Sequence, residues 1–359
     1  MTARERMLAA LGRRVPDRLP VTTHHLMPSY LKGTSNREFF DRFGMDAIHW
    51  TEPRIASAST DWRVTSEELE PAPRRATRYR IATPRKTLTM VIETAPETDW
   101  VSERLIKEKS DIELIEAFAV VPTCDVREVN RQAEVFGERG IVRGSVPGFD
   151  IYGQPGCWQD AAVLYGIEPL ILATYDDPEW VRAFLGILRD RKTAALRTMV
   201  GARFDLIELG GGDASSTVIS PKIFDTFVAP YDRPLIAEAH ALGLRVVYHT
   251  CGGMMPLLER IADMKPDAME TFTPPSLGGD VVLREAKERI GSRVCMIGGF
   301  DQCRYFTGCA EDETRRAVRE CFAAAGCGGG FILAPSDHFF KADANLLHAF
   351  ADEARRCTY

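Results

Sequence analysis

His249 and Cys251 stand two residues apart in RVVYHTCGG, at the end of an apolar run and just before a glycine pair. On an extended chain, residues i and i+2 face the same way, so imidazole and thiol can grip one ion. That donor pair suits zinc. Gly252 then permits a tight turn around an ion or ligand. The same pair also reads as a buried thiol beside a hydrogen-bonded imidazole, and spacing alone leaves both readings open.

Other polar side chains fall where apolar runs end. They are His24 and His25 in LPVTTHH, His49 in MDAIHW, Glu208 and Asp213 in FDLIELGGGDASS, Glu270 in PDAMETF, Asp301 and Gln302 after CMIGGF, and Asp337 and His338 in PSDHFF. Five of the seven histidines lie at such ends. His24 and His25 are candidate acid–base groups. Glu208, Glu270 and Asp213 are candidates to orient a substrate or to hold metal ligands from behind. Asp301 and Gln302 are candidate cofactor contacts. The glycine-rich GGGDASS turn can cradle an anion with backbone N–H groups. Three polar residues in a row at PSD and H are costly at a strand end unless solvated or used.

The elements that must position these residues follow an alternating pattern. From about residue 140, the apolar runs GIVRGSV, FDLIELG, LRVVYHT, PDAMETF, SRVCMIGG and GGFILAPS alternate with helical periodicity. Ser220 and Pro221 open one such helix as cap and first residue. LPVTTHH and MDAIHW bring the strand count to eight. Eight strands with helical crossovers predict an α/β fold, a closed (β/α)8 TIM barrel with its chemistry at the strand C-termini. The stretch 61–100 has period-two character and predicts an antiparallel β insertion after strand two. The whole of 1–359 then reads as a single domain.

Composition narrows the function. The chain has 359 residues and a net charge of −6, with acids and bases interspersed. The basic footprint of a nucleic-acid binder is missing. No apolar segment reaches the length of a membrane span. Nine cysteines, an odd number, predict reduced thiols in a cytoplasmic protein rather than a disulfide framework. The sequence allows a homodimer without requiring one.

Five stretches resemble the uroporphyrinogen decarboxylase superfamily: RRVPDRLPV, VLYGIEPLILATYDDPEWV, VVYHTCGGMMPLLERIADMKPDAME, CMIGGFDQ and GGGFILAPSDHFF. The resemblance covers most of the chain and implies the same barrel. Decarboxylases of the family carry an early RQAGR-type stretch that grips substrate carboxylates. Here the corresponding residues read VTTHHLMPSYLKG, without that grip. The zinc-dependent, corrinoid-linked methyltransferase branch carries HxCG, matched by His249, Cys251 and Gly252. Its members often draw a third ligand from a cysteine in an LxPGCG-type turn, where LAPSDHFF has Asp337, with His338 as neighbour. With Cys251 as thiolate, Asp337 would leave a formally neutral zinc site.

The resemblance thus implies a zinc-dependent methyltransferase working with a corrinoid (cobalamin) protein. Its methyl donor or acceptor would be small: a methoxylated aromatic undergoing demethylation, a methylamine or a thiol. Two other readings stand beside it. One is a metal-free carboxy-lyase using His249 and Asp337 as acid and base. The other is a non-catalytic barrel that binds a corrinoid protein or a tetrapyrrole.

Overall fold

A computed structural model describes residues 1–23, 26, 28–55, 59–70, 74–95 and 97–359. In chain order its strands are β1 (Ala47–Trp50), β2 (Arg54–Ile55), β3 (Arg63–Leu69), β4 (Arg75–Ala82), β5 (Thr87–Thr94), β6 (Asp99–Glu103), β7 (Thr123–Cys124), β8 (Gly140–Ser145), β9 (Leu206–Gly210), β10 (Val246–His249), β11 (Ala268–Thr271), β12 (Cys295–Phe300) and β13 (Phe331–Pro335). Seven of them form one parallel sheet in the order β1-β8-β9-β10-β11-β12-β13. Helices cover its outer face. This is an α/β TIM-barrel-type fold. Its strands are buried almost continuously, as expected when both faces of a parallel sheet are covered.

Among the described residues the seam between β13 and β1 carries one bridge, Val21 to Leu333, in the run LPVTTHH that predicts a strand and whose His24 and His25 lie outside the described residues. The physical reason is a shortage of donors. Pro20 has no N–H, and the Val21 N–H goes to the Asp46 carboxylate (3.0 Å) instead of a strand carbonyl. Around that point, Leu333 donates to Pro20 O, Thr22 to Leu333 O and Asp46 to Val21 O, at 2.7–2.9 Å. Arg6 and Arg18 fix Asp46 from below, at 2.7 and 3.0 Å.

The predicted insertion is a four-stranded antiparallel sheet, β3-β4-β5-β6, running to Glu103. Its neck is the short antiparallel pair β2–β7. β3 is an exposed outer strand whose Glu67 and Glu68 pair with Arg78, Arg80 and Arg75 on β4. Charges of this kind keep an open edge from recruiting another strand. The other side of the insertion joins the core through Trp62, Ile81, Leu88, Met90 and Val101. Trp62 also reaches the loop after β8: its Nε1 donates to Asp150 (3.1 Å) and its ring meets Phe149 edge-on. Among the described residues no helix is long and apolar enough to cross a membrane.

Candidate functional site

Arg143 lies mid-strand in β8 and points into the barrel, 1% exposed. A guanidinium there requires countercharge, because desolvating an unpaired ion costs several kcal/mol. Two other strands of the sheet supply it. Nη1 and Nη2 both reach the Glu270 carboxylate of β11, with Nη1 to Oε2 at 2.8 Å, and Nη2 also meets Glu208 of β9 at 2.7 Å. The Trp50 ring stacks 4.3 Å from the guanidinium. Burial works against the Arg143 charge, but the two glutamates outweigh it and raise its pKa.

His249 ends β10 beside this cluster, paired in register with Glu270. Its Nδ1 is 2.9 Å from Glu270 Oε1 and 4.0 Å from Glu208 Oε1. An ionised carboxylate only accepts, so Nδ1 carries the proton and donates. Burial alone would keep the ring neutral; Glu208, Cys251 and Glu270 outweigh that and push its pKa well above the ordinary imidazole value.

Cys251 lies within hydrogen-bonding reach of the His249 ring. The strand itself ends at His249, so the pairing is made in the turn beyond it, where Gly252 takes φ +89°. A side chain at Gly212 would come within 2.7 Å of Cys251 Sγ, so this glycine keeps the space over the sulfur open. Just after Glu270, Thr271 and Phe272 both hold positive φ, 85° and 48°. Such backbone costs of order 1–3 kcal/mol per residue and needs support. The Thr271 hydroxyl provides some, donating to Thr250 O at 2.6 Å.

Above the cluster opens a cleft of about 540 Å³, lined by Trp50, Glu52, Gln159, Glu208, His249 and His338 among others. The expected site residues divide accordingly. Glu208, His249 and His338 line the cleft, Glu270 lies beneath it and Cys251 adjoins the His249 ring. Asp337 is not a lining residue; its Oδ1 accepts the N–H of His338 at 2.7 Å. Asp213 is gripped by Gln159 through side chain and backbone (2.8 and 2.7 Å), and burial raises its pKa. His24 and His25 lie outside the described residues.

Other expected residues make contacts within the fold. Asp301 and Gln302 both hydrogen-bond inside the protein. Asp301 caps the helix Gln302–Tyr305 through the Arg304 N–H (2.9 Å) and accepts from Ser276 (2.6 Å). Gln302 holds the exit of β13, accepting the Ser336 N–H at 3.0 Å. In the GGGDASS turn the N–H groups of Gly211, Asp213, Ala214 and Ser215 have acceptors within the protein. His49 faces outward, against Phe136 and Gln132.

Among the described residues, one group brings three candidate metal-binding atoms within 4.8 Å of one another: Glu208, His249 and Glu270. Both carboxylates also contact Arg143, so the trio is part of an ion-pair network around the imidazole. Arg143 itself was missed at the level of sequence. Its signal was a lone charge in the apolar run GIVRGSV.

The uroporphyrinogen decarboxylase (URO-D) family model matches residues 150–356. The methylated-thiol–coenzyme M methyltransferase of Methanosarcina mazei is 24% identical over 161 residues, covering 45% of this chain and 41% of that protein. A uroporphyrinogen decarboxylase from Nocardia farcinica is 26% identical over 175 residues, 48% of this chain and 45% of that one. The matched stretches thus span less than half the length of these curated relatives. A solved structure described as a methyltransferase from Methanosarcina mazei superposes with a TM-score of 0.67 at 16% identity, covering 99% of both chains.

Proposed function

The chain belongs to the uroporphyrinogen decarboxylase family, and from that premise we propose that it is a zinc-dependent methyltransferase. It moves a methyl group between a small methylated substrate and a corrinoid carried by a partner protein. The observation that carries this reading is the 2.9 Å hydrogen bond from His249 Nδ1 to Glu270, beside Cys251. A metal-binding imidazole characteristically gives its second N–H to a carboxylate. With Nδ1 so engaged, Nε2 is the ligand atom and the Cys251 thiolate the second donor. His338, which lines the same cleft, is the third, with Asp337 as its neighbour. The donor set and the space kept open by Gly212 fit zinc.

When bound, zinc supplies Lewis acidity to the heteroatom that carries or loses the methyl group. The rest is the work of the chain. Glu270 fixes the tautomer and orientation of His249, and Arg143 holds Glu270 in place. Glu208 presents a carboxylate oxygen to the cleft and accepts from a substrate N–H or O–H. The open mouth leaves room for a partner domain. Nine free thiols support a reducing compartment such as the cytoplasm. The methylated-thiol relative supports methyl transfer. The lining disfavours decarboxylation of a polyanionic tetrapyrrole, which calls for several cations. Among the described lining residues Arg54 is the only arginine or lysine, and it pairs with Glu52 at 3.3 Å.

Metal analysis and turnover test the reading. Purified protein should carry about one zinc per chain, lost in His249→Ala and Cys251→Ala. It should methylate free cob(I)alamin from a methyl thioether or a methoxylated aromatic. Protein that binds no zinc but releases carbon dioxide from a carboxylated substrate overturns the reading.

A further inference from the structure

We propose that the chain carries a second ligand site, beside the cleft, which takes a phosphorylated compound bearing a planar ring, the chemistry of a nucleotide. It is a cavity of about 400 Å³ whose lining includes Tyr30, Lys32, Arg42, Phe340, Lys341 and Asp343. That volume is in the range of small-molecule sites. Two stretches from opposite ends of the chain build it. Lys32 follows the helix Pro28–Leu31 and Arg42 stands on the helix Asn36–Phe43, while Phe340, Lys341 and Asp343 follow β13. One segment joins the two sites. His338 lines the cleft, Phe339 packs on Tyr30 and Phe306 (5.0 and 5.2 Å between ring centres), and Phe340 lines the second cavity.

The charge of the lining points to an anion. Among the described residues, Lys32, Arg42 and Lys341 form no ion pair and donate no side-chain hydrogen bond. The acids nearest Arg42 in sequence are engaged elsewhere: Glu38 closes the cap at Ser35 and Asp41 pairs with Arg37 at 3.6 Å. Asp343 is the one acid of the described lining, and its Oδ2 accepts the Gly308 N–H at 3.3 Å. A concave site lined mainly by one sign of charge focuses its field and concentrates counter-ions. Three cations against one carboxylate suit the multiple charge of a phosphate or diphosphate better than a single carboxylate. Flat surfaces accompany the charge. Phe39 and Phe339 hold the Tyr30 ring edge-on, at 6.0 and 5.0 Å. Phe340 is 45% exposed, so a ligand ring can stack on it.

The test titrates the full chain with ADP, adenosine and pyrophosphate by calorimetry. ADP should bind, with affinity that falls as salt is added, and adenosine and pyrophosphate should each bind about tenfold more weakly. Arg42→Ala and Lys341→Ala should each weaken ADP about tenfold. Phe340→Ala should weaken ADP and leave pyrophosphate unchanged. These side chains are exposed, and circular dichroism checks that each variant is folded. A corrinoid also carries a base and a phosphate in its tail. Displacement of ADP by cyanocobalamin assigns the site to that tail and failure to displace assigns it to a free nucleotide; both uphold the proposal. ADP that does not bind at millimolar concentration, that binds both cation variants as well as wild type, or that binds no tighter than pyrophosphate overturns it.

Discussion

Glu270 serves two partners at once. It takes both terminal nitrogens of Arg143 and holds Nδ1 of His249. A carboxylate in this position raises the basicity of the imidazole and fixes which nitrogen can bind a metal. Glu270→Gln keeps the shape but loses the charge. Its zinc affinity, measured by competition with a chromogenic chelator, should fall roughly 10–100-fold. Circular dichroism on the same samples checks that the barrel has formed. Unchanged affinity would mean that His249 is not held for metal by Glu270. At this scale the sequence was half legible. His249, Glu208 and Glu270 stood at strand ends, but Arg143, which unites them, reads as one polar residue in an apolar run until its neighbours in space are known.

The loop 147–155 forms a wall of the cleft through Gly148, Gly153, Gln154 and Pro155. A fully buried ion pair bolts it down from outside the barrel. Lys192, on the helix Pro178–Arg197, donates to Asp160 (2.8 Å), Gln154 O (2.7 Å) and Pro147 O (3.3 Å). Asp160 in turn accepts the N–H groups of Gln154 (3.0 Å) and Phe149 (3.4 Å). Both side chains are 2% exposed. Removing one member of such a pair strands the other, at a cost of about 3–5 kcal/mol. Lys192→Met should show that loss in urea unfolding, with faster hydrogen exchange at the Gln154 amide. A loop whose exchange does not change would show that the bolt is dispensable. Neither residue was singled out from sequence, because a lysine on a helix ordinarily reads as surface.

At the scale of the whole molecule, the weak line is the seam where Val21 meets Leu333 through one bridge. Side chains reinforce the backbone hydrogen bonds there. Arg6 donates to Asp46 and also, through Nε, to Asp17 at 2.6 Å. The hydrogen bond from Arg6 holds the Asp17 carboxyl well below its usual range, with the chain's N-terminus assisting. A carboxyl whose folded pKa is depressed stabilises the fold above its unfolded value, near 4, and stops doing so as pH falls through the folded value. Asp17→Asn should therefore be less stable than wild type above about pH 4. The difference should shrink on acidification and vanish in strong acid, as measured by urea unfolding across pH. A difference independent of pH would assign Asp17 a packing role instead.

The alternation of apolar runs with helical periodicity was enough to specify a TIM-barrel-type α/β fold, seven of whose expected strands form the parallel sheet, because strand and helix periods are local properties of the chain. The inserted sheet was equally legible from its period-two pattern. Which polar residues face the cleft was not, because that depends on who neutralises whom across strands distant in sequence. Arg143 takes up the charge of Glu208 and Glu270 from residues 65 and 127 positions away. Asp301, Gln302 and most N–H groups of the GGGDASS turn also stand at strand ends, and the folded chain supplies partners for them. Tertiary structure decided the matter because a buried donor or acceptor must find its partner wherever packing brings one.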